Sequence, residues 1–212
     1  MEDLLELFDL GMVLRWAHFI AGITWIGLLW FYNYMNGAVM NSLEPDVRSK
    51  VLVQIMPRTL WWFRWGAAFT WITGVWYAYG ILARDDPEGT MHWMTEVTRG
   101  QWITMGFVYG SIMAFNVWFM IWPRQQKIIS ATIKGENPPE KAAWAKTATN
   151  CSRVNTYLSI PLLFAMGAAS HLTTTGPFLV NAAVVTVLGM FVAWIFIHKI
   201  GPSVGKDWKP TS

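Results

Sequence analysis

Cysteine is nearly absent from this chain: Cys151 is the only one among 212 residues. An internal disulfide, a CxxC metal site and the CxxCH attachment of a c-type haem are thereby excluded. Charge is scarce too. Asp, Glu, Lys and Arg make up 14% of the residues, against ~25% in an ordinary soluble domain. Histidine occurs four times, and the apolar stretches do not supply the three or four His, Cys or carboxylate ligands of a closed zinc or copper site. No internal repeat and no low-complexity tract is found, and no small-residue cleavage site suits a signal peptide.

What the chain has instead is apolar and aromatic: 54% hydrophobic residues, 16% aromatic, and 15 tryptophans. A bilayer core needs about 20 apolar residues per helix. Five runs approach or exceed that length, at about 11–33, 60–82, 102–122, 155–172 and 178–198, the fourth being the shortest. The sequence predicts an all-α fold, a polytopic bundle of about five transmembrane helices, forming a single membrane domain over 1–212.

The basic residues are distributed unevenly. The 35–58 connection carries Arg48, Lys50 and Arg58; the 123–154 connection carries Arg124, Lys127, Lys134, Lys141, Lys146 and Arg153; the tail carries Lys199, Lys206 and Lys209. The 83–101 connection sets Arg84 and Arg99 beside Asp85, Asp86, Glu88 and Glu96, and the opening "MEDLLELFD" has no basic residue. Positive-inside reasoning puts the basic segments and the C-terminus in the cytoplasm and the N-terminus outside. All five alternations agree. Topology accounts for the basic segments, so no nucleic-acid partner is implied; the predicted partner is membrane lipid.

Tryptophans at the ends of the runs, such as Trp61, Trp62, Trp65, Trp118 and Trp122, suit an interfacial belt. Trp25, Trp71 and Trp76 lie deeper and are the better pocket candidates. Gly106 and Gly110 have GxxxG spacing, and Gly167 to Ser170 form a run of small residues. Both suit close helix packing or room beside a flat cofactor. Pro161 is expected to bend its helix.

His92 suits a solvated loop, and His198 a helix C-terminus that favours imidazolium. His18 and His171 differ, because ionisable groups inside spans are costly and take a partner. Both come out toward the outer side, on different helices. One reading is that they ligate a haem b, since the porphyrin leaves only one or two axial positions to the protein. Gly22 would then give room, Trp25 a wall, and Arg15 a partner for a propionate. The other reading is that His18 hydrogen-bonds a neighbouring helix and His171 ends one.

The stretch "RWAHFIAGITWIG" resembles the N-terminal membrane domain of the bacterial urate oxidase (urate hydroxylase) family. Similar openings occur in copper-resistance D-type permeases and in the membrane protoporphyrinogen oxidase. Three further stretches resemble the urate oxidase family in order and spacing: "LWWFRWGAAFTWITG" (60–74), "GFVYGSIMAFNVWFMIWPRQQKII" (106–129) and "NTYLSIPLLFAMGAASH" (155–171). The resemblance runs from about 15 to 172. It implies a bacterial inner (cytoplasmic) membrane protein related to enzymes that oxidise urate to 5-hydroxyisourate and pass electrons to a haem protein. His18, Trp65, Asn116, Asn155, Tyr157, Pro161 and His171 keep family positions. Trp61, Gly66 and Val154 stand where the family has His, an acidic residue and His, the groups wanted for proton transfer from a purine. The expectation is a membrane haem b redox protein, without urate turnover of its own, passing electrons near the outer face to a separate cytochrome c or other redox protein. The alternatives are a non-catalytic subunit of a larger membrane complex and a copper-resistance D-like metal permease. The permease is the weaker of the two, because the 12 methionines are scattered rather than laddered.

The topology has a direct check. With Cys151 replaced by Ser, an impermeant maleimide applied from outside is expected to label Glu88→Cys and not Glu140→Cys. The opposite pattern would invert the orientation.

Overall fold

The computed structural model describes residues 9–173 and 176–205. The opening up to Phe8, and Lys206 and Lys209 of the basic tail, lie outside the described residues. Among the described residues the regular structure is helical throughout. Five long helical rods match the five apolar runs, with one short helix added.

Helix α1 is Leu10–Ser42, with a π turn at Phe31–Asn36. Asp9 caps it, accepting a 2.7 Å hydrogen bond from the Met12 amide. Helix α2 is Pro45–Tyr77, with proline in its first turn, and runs on into a π turn, Ala78–Leu82. The short α3, Thr90–Thr95, lies against the start of α4, Thr98–Ile133. At that contact a Cβ on Gly100 would fall 1.8 Å from the Trp93 carbonyl oxygen, so only glycine fits. Helix α4 widens into a π turn at Asn116–Ile121 and ends before Gly135, whose φ is +71°. Helix α5 is Lys141–His171, and α6 is Phe178–Ile200.

Three of these rods, α1, α4 and α6, are long and apolar enough to cross a membrane by length and composition. The other two are long enough but more polar, for an identifiable reason. The basic connections predicted at 35–58 and 123–154 are largely helix. Helix α2 begins at Pro45 and α5 at Lys141, well before the apolar runs they carry. Hydropathy marks the apolar portion of a helix, whereas a solvated charge does not end one. Helix α5 also buries Asn155, Thr156 and Ser159 completely, because it packs between α4 and α6 and touches α1.

The rods form a bundle in which α1 lies along α2, α2 meets α4, and α4 and α6 flank α5. The end of α6 returns to α1, where Phe196 stacks on Tyr34 at 5.4 Å. Between apolar helices in lipid there is little hydrophobic driving force, so close approach and hydrogen bonds carry the association. Gly106 and Gly110 do this for α4, their missing side chains facing Met166 and Leu162 of α5. Gly189 does it for α6, where a Cβ would lie 2.7 Å from Pro161. Trp30 donates to Ser159 at 2.9 Å and Asn33 to Ser152 at 2.8 Å, joining α1 to α5. Where α4 widens, Asn116 donates to the Asn155 side-chain oxygen at 2.8 Å, and Asn155 donates to the Met113 carbonyl at 2.9 Å.

Asn155 thus satisfies two buried groups at the α4–α5 contact. Asn155→Ala strands both and is expected to lower stability by about 1–3 kcal/mol, read as a lower unfolding midpoint in detergent. An unchanged midpoint would show that the pair of asparagines does not hold the two helices.

Candidate functional site

The seam between α1 and α2 is built from small residues on α2 at four-residue spacing: Gly66, Thr70 and Gly74. This spacing keeps all three on one helix face. At Gly66 a Cβ would lie 3.2 Å from the Trp25 amide nitrogen and 3.3 Å from the Ala21 carbonyl oxygen. At Gly74 it would lie 2.8 Å from the His18 ring. The imidazole of His18 therefore occupies the space that a side chain at 74 would need.

The ring is half-buried, and its hydrogen bonding fixes its tautomer. Nδ1 lies 2.9 Å from the Thr70 carbonyl oxygen. A carbonyl can only accept, so the proton is on Nδ1. Thr73 Oγ1 is 3.4 Å away and already donates to the Phe69 carbonyl at 2.6 Å, which makes it a second, weaker acceptor. Nε2 keeps its lone pair and has no hydrogen-bond partner among the described residues. A histidine held in this way, one nitrogen donating to a backbone carbonyl and the other free, is arranged as a metal-ligating histidine is.

Arg15, one turn before His18, faces the same helix. Its Nε donates to the Tyr77 hydroxyl at 3.0 Å, Nη2 donates to the same oxygen, and the guanidinium lies 5.1 Å from the Tyr77 ring centroid. No carboxylate pairs it among the described residues. Gly22 sits across from Thr70, whose methyl would be 3.8 Å from a Cβ there. Trp25 is buried in the core beside Phe63 and Ala67. The structure therefore brings Arg15, His18, Gly22 and Trp25 together on one face of α1. It places Gly22 and Trp25 in the seam with α2, so the room and the wall that the sequence suggested at these positions are taken up by helix packing.

His171 is elsewhere. It is the last residue of α5, exposed, with no hydrogen bond among the described residues. Its depth nonetheless matches that of His18. The Trp30–Ser159 hydrogen bond ties α1 to the oppositely directed α5, and each histidine lies twelve residues from that bond on its own helix, ~18 Å in the same direction.

Of the deep tryptophans, Trp76 is 52% exposed and lies against Gly80 of its own helix, whereas Trp71 lines an open groove between α2 and α4. His92 pairs with Asp86 at 3.0 Å rather than standing alone in solvent. His198 has Tyr157 as a partner, hydroxyl to Nε2 at 3.1 Å. Cys151 lies below the apolar part of α5, where burial raises its thiol pKa against the pull of Arg124. A thiol so placed is a poor nucleophile.

The family described as urate oxidase N-terminal matches residues 89–208. The chain belongs to the urate oxidase N-terminal family. The match takes in α4, α5 and α6, with Asn116, Asn155, Tyr157, Pro161 and His171, and begins after α1 and α2, so Arg15, His18, Gly22 and Trp25 fall before it. No curated protein and no solved structure matches the chain. Three or more His, Cys, Asp or Glu grouped as a metal site do not occur among the described residues.

Gly66 stands where the sequence resemblance leads one to expect an acidic residue for this urate oxidase family. A carboxylate side chain there would push α1 off α2. Gly66→Asp is expected to lower stability by about 1–3 kcal/mol, seen as a lower unfolding midpoint in detergent. Retention of the parent midpoint would mean that α1 yields easily at this point.

Proposed function

We propose that the chain is a multi-pass membrane protein of the bacterial inner membrane, with five spans, that binds one haem b through Nε2 of His18 and serves in electron transfer. The observation that carries this reading is the Nδ1 proton held on the Thr70 carbonyl, which leaves the Nε2 lone pair without a hydrogen-bond partner among the described residues. An unpaired imidazole nitrogen at membrane depth is unfavourable, and a metal bond satisfies it. His171, at matching depth, is the candidate second ligand. Arg15, held by Tyr77 and without a carboxylate partner among the described residues, is the candidate partner of a propionate. Haem supplies one-electron redox chemistry. The chain's own residues would fix the ring nitrogen, neutralise an acid group and keep the site near the outer end of α1, within reach of a separate cytochrome c or other redox protein. The purine-directed acid–base groups are absent at Trp61, Gly66 and Val154, so urate turnover by the isolated chain is not part of the proposal.

One observation favours a second reading. Gly22 and Trp25 are engaged in helix packing, as they would be in a non-catalytic subunit of a larger assembly.

The purified protein decides between them. The haem reading expects a Soret band with b-type α and β bands, a pyridine haemochrome signal lost in His18→Ala, and loss or a high-spin shift in His171→Ala. It also expects no urate loss with an artificial electron acceptor. An unchanged low-spin spectrum in both variants removes the two histidines from the site. A protein without haem leaves the scaffold reading. Steady urate loss dependent on His18 would restore an enzyme.

A further inference from the structure

Arg64 lies within the apolar run of α2, half-buried, near Trp61, Trp62 and Trp65. Its guanidinium is ringed by indoles, with centroids at 4.0 Å for Trp122, 5.6 Å for Trp118 and 5.7 Å for Trp65. Trp118 is itself pinned there, its Nε1 donating to the Arg64 carbonyl at 3.1 Å. The Arg64 side chain makes no hydrogen bond and no ion pair among the described residues, and its Nε is buried without an acceptor. The buried Nε is thus left with aromatic faces, and the Nη groups, which are not buried, have no acceptor among the described residues. Cation–π contact offsets part of the desolvation, but it gives the N–H groups no acceptor.

An apolar groove of about 350 Å³ runs along α2 and α4, with Trp118, one of the indoles around the Arg64 guanidinium, in its wall. On α2 it is lined by Ala68, Trp71 and Ile72, which follow Arg64 by four, seven and eight residues and share its face. On α4 it is lined by Trp118, Ala114 and Ser111, with two phenylalanines. The two alanines leave the space open. The polar groups in it, Trp71 Nε1 and Ser111 Oγ, satisfy each other at 2.9 Å. The groove itself offers a ligand only apolar contact, and the Arg64 charge lies beside it on the other side of Trp118.

We propose that this groove binds an anionic phospholipid, with the headgroup phosphate on the Arg64 guanidinium and one acyl chain along Ala68, Trp71 and Ala114. Charge complementarity selects the headgroup, since Arg64 has donors and no anion. A planar guanidinium takes phosphate oxygens in pairs. Depth agrees with this, because tryptophan clusters mark the headgroup level, and basic sites between helices on that side of a membrane take acidic lipids. The site is separate from the His18 face of α1, so either assignment can fail without the other.

Native mass spectrometry of delipidated protein titrated with phosphatidylglycerol tests it. One phosphatidylglycerol is expected to be retained in preference to phosphatidylcholine, with retention falling about tenfold in Arg64→Gln. Ala68→Phe keeps the cation and fills the groove, and is expected to lose the lipid as well; it decides the matter if Arg64→Gln does not fold. Haem content is expected to be unchanged in both. Equal retention of phosphatidylglycerol by parent and Ala68→Phe would overturn the proposal. So would displacement of the lipid by inorganic phosphate, which would make Arg64 a simple anion site. Loss of haem in Arg64→Gln would reassign the guanidinium to a propionate.

Discussion

How closely α1 can approach α2 governs everything at the His18 end of the molecule. The two helices touch where α2 has no side chain, at Gly66 and Gly74, and between these points Thr70 turns its hydroxyl back to the Gly66 carbonyl at 2.6 Å. That back-bond satisfies the Thr70 hydroxyl within its own helix, so its side chain can pack against Gly22 in the seam while its carbonyl accepts from α1. The imidazole of His18 fills the gap at Gly74 and donates to that carbonyl. The tautomer, the ring position and the free Nε2 all follow from one close contact. A wider seam would cost the carbonyl bond first, and the imidazole would become an unpaired polar group in apolar surroundings.

The same economy of polar groups runs through the bundle. Arg15 finds Tyr77, Trp30 finds Ser159, Asn33 finds Ser152, and Asn116 and Asn155 find each other. Each bond joins two rods, and several meet at a helix widened by a π turn, where the regular backbone pattern is interrupted. Lipid offers no water to complete an unmet valence, so the pairing has to be internal. The pairing is not complete: the indole nitrogens of Trp25 and Trp102 and the Nε of Arg64 are buried without an acceptor, and Arg64 adds a charge within an apolar run, with an open groove beside it.

Much of this was legible in the sequence. The five runs locate the five rods, because an apolar stretch of span length is hard to place elsewhere. Their starts were not legible for α2 and α5, since basic residues before a span read as connection while the backbone stays helical from Pro45 and from Lys141. Arg15, His18, Gly22 and Trp25 were correctly grouped on one helix face, as their spacing requires. What that face meets was not legible. The complementary stripe of Gly66, Thr70 and Gly74 is as regular as Gly106 and Gly110, but the threonine in its middle hides it from a search for glycine pairs. Arg64 carries no sequence signal for a similar reason: an arginine among interfacial tryptophans is ordinary, and only its three-dimensional surroundings show that its Nε lacks an acceptor.

Gly66 links the packing to the chemistry. The resemblance leads one to expect an acidic residue there, and histidines at positions 61 and 154. Position 66 differs from the other two in its surroundings. Trp61 and Val154 are exposed, so substitution there alters little besides the side chain itself. Position 66 is buried against the backbone of α1. A carboxylate in that place needs either a wider seam or a partner within it, and a wider seam would disturb the bond that orients His18. In this chain, absence of the acid and tight placement of the histidine are one structural condition. The glycine at 66 lets α1 come close enough for the imidazole to take one position, on one backbone carbonyl, in one tautomer.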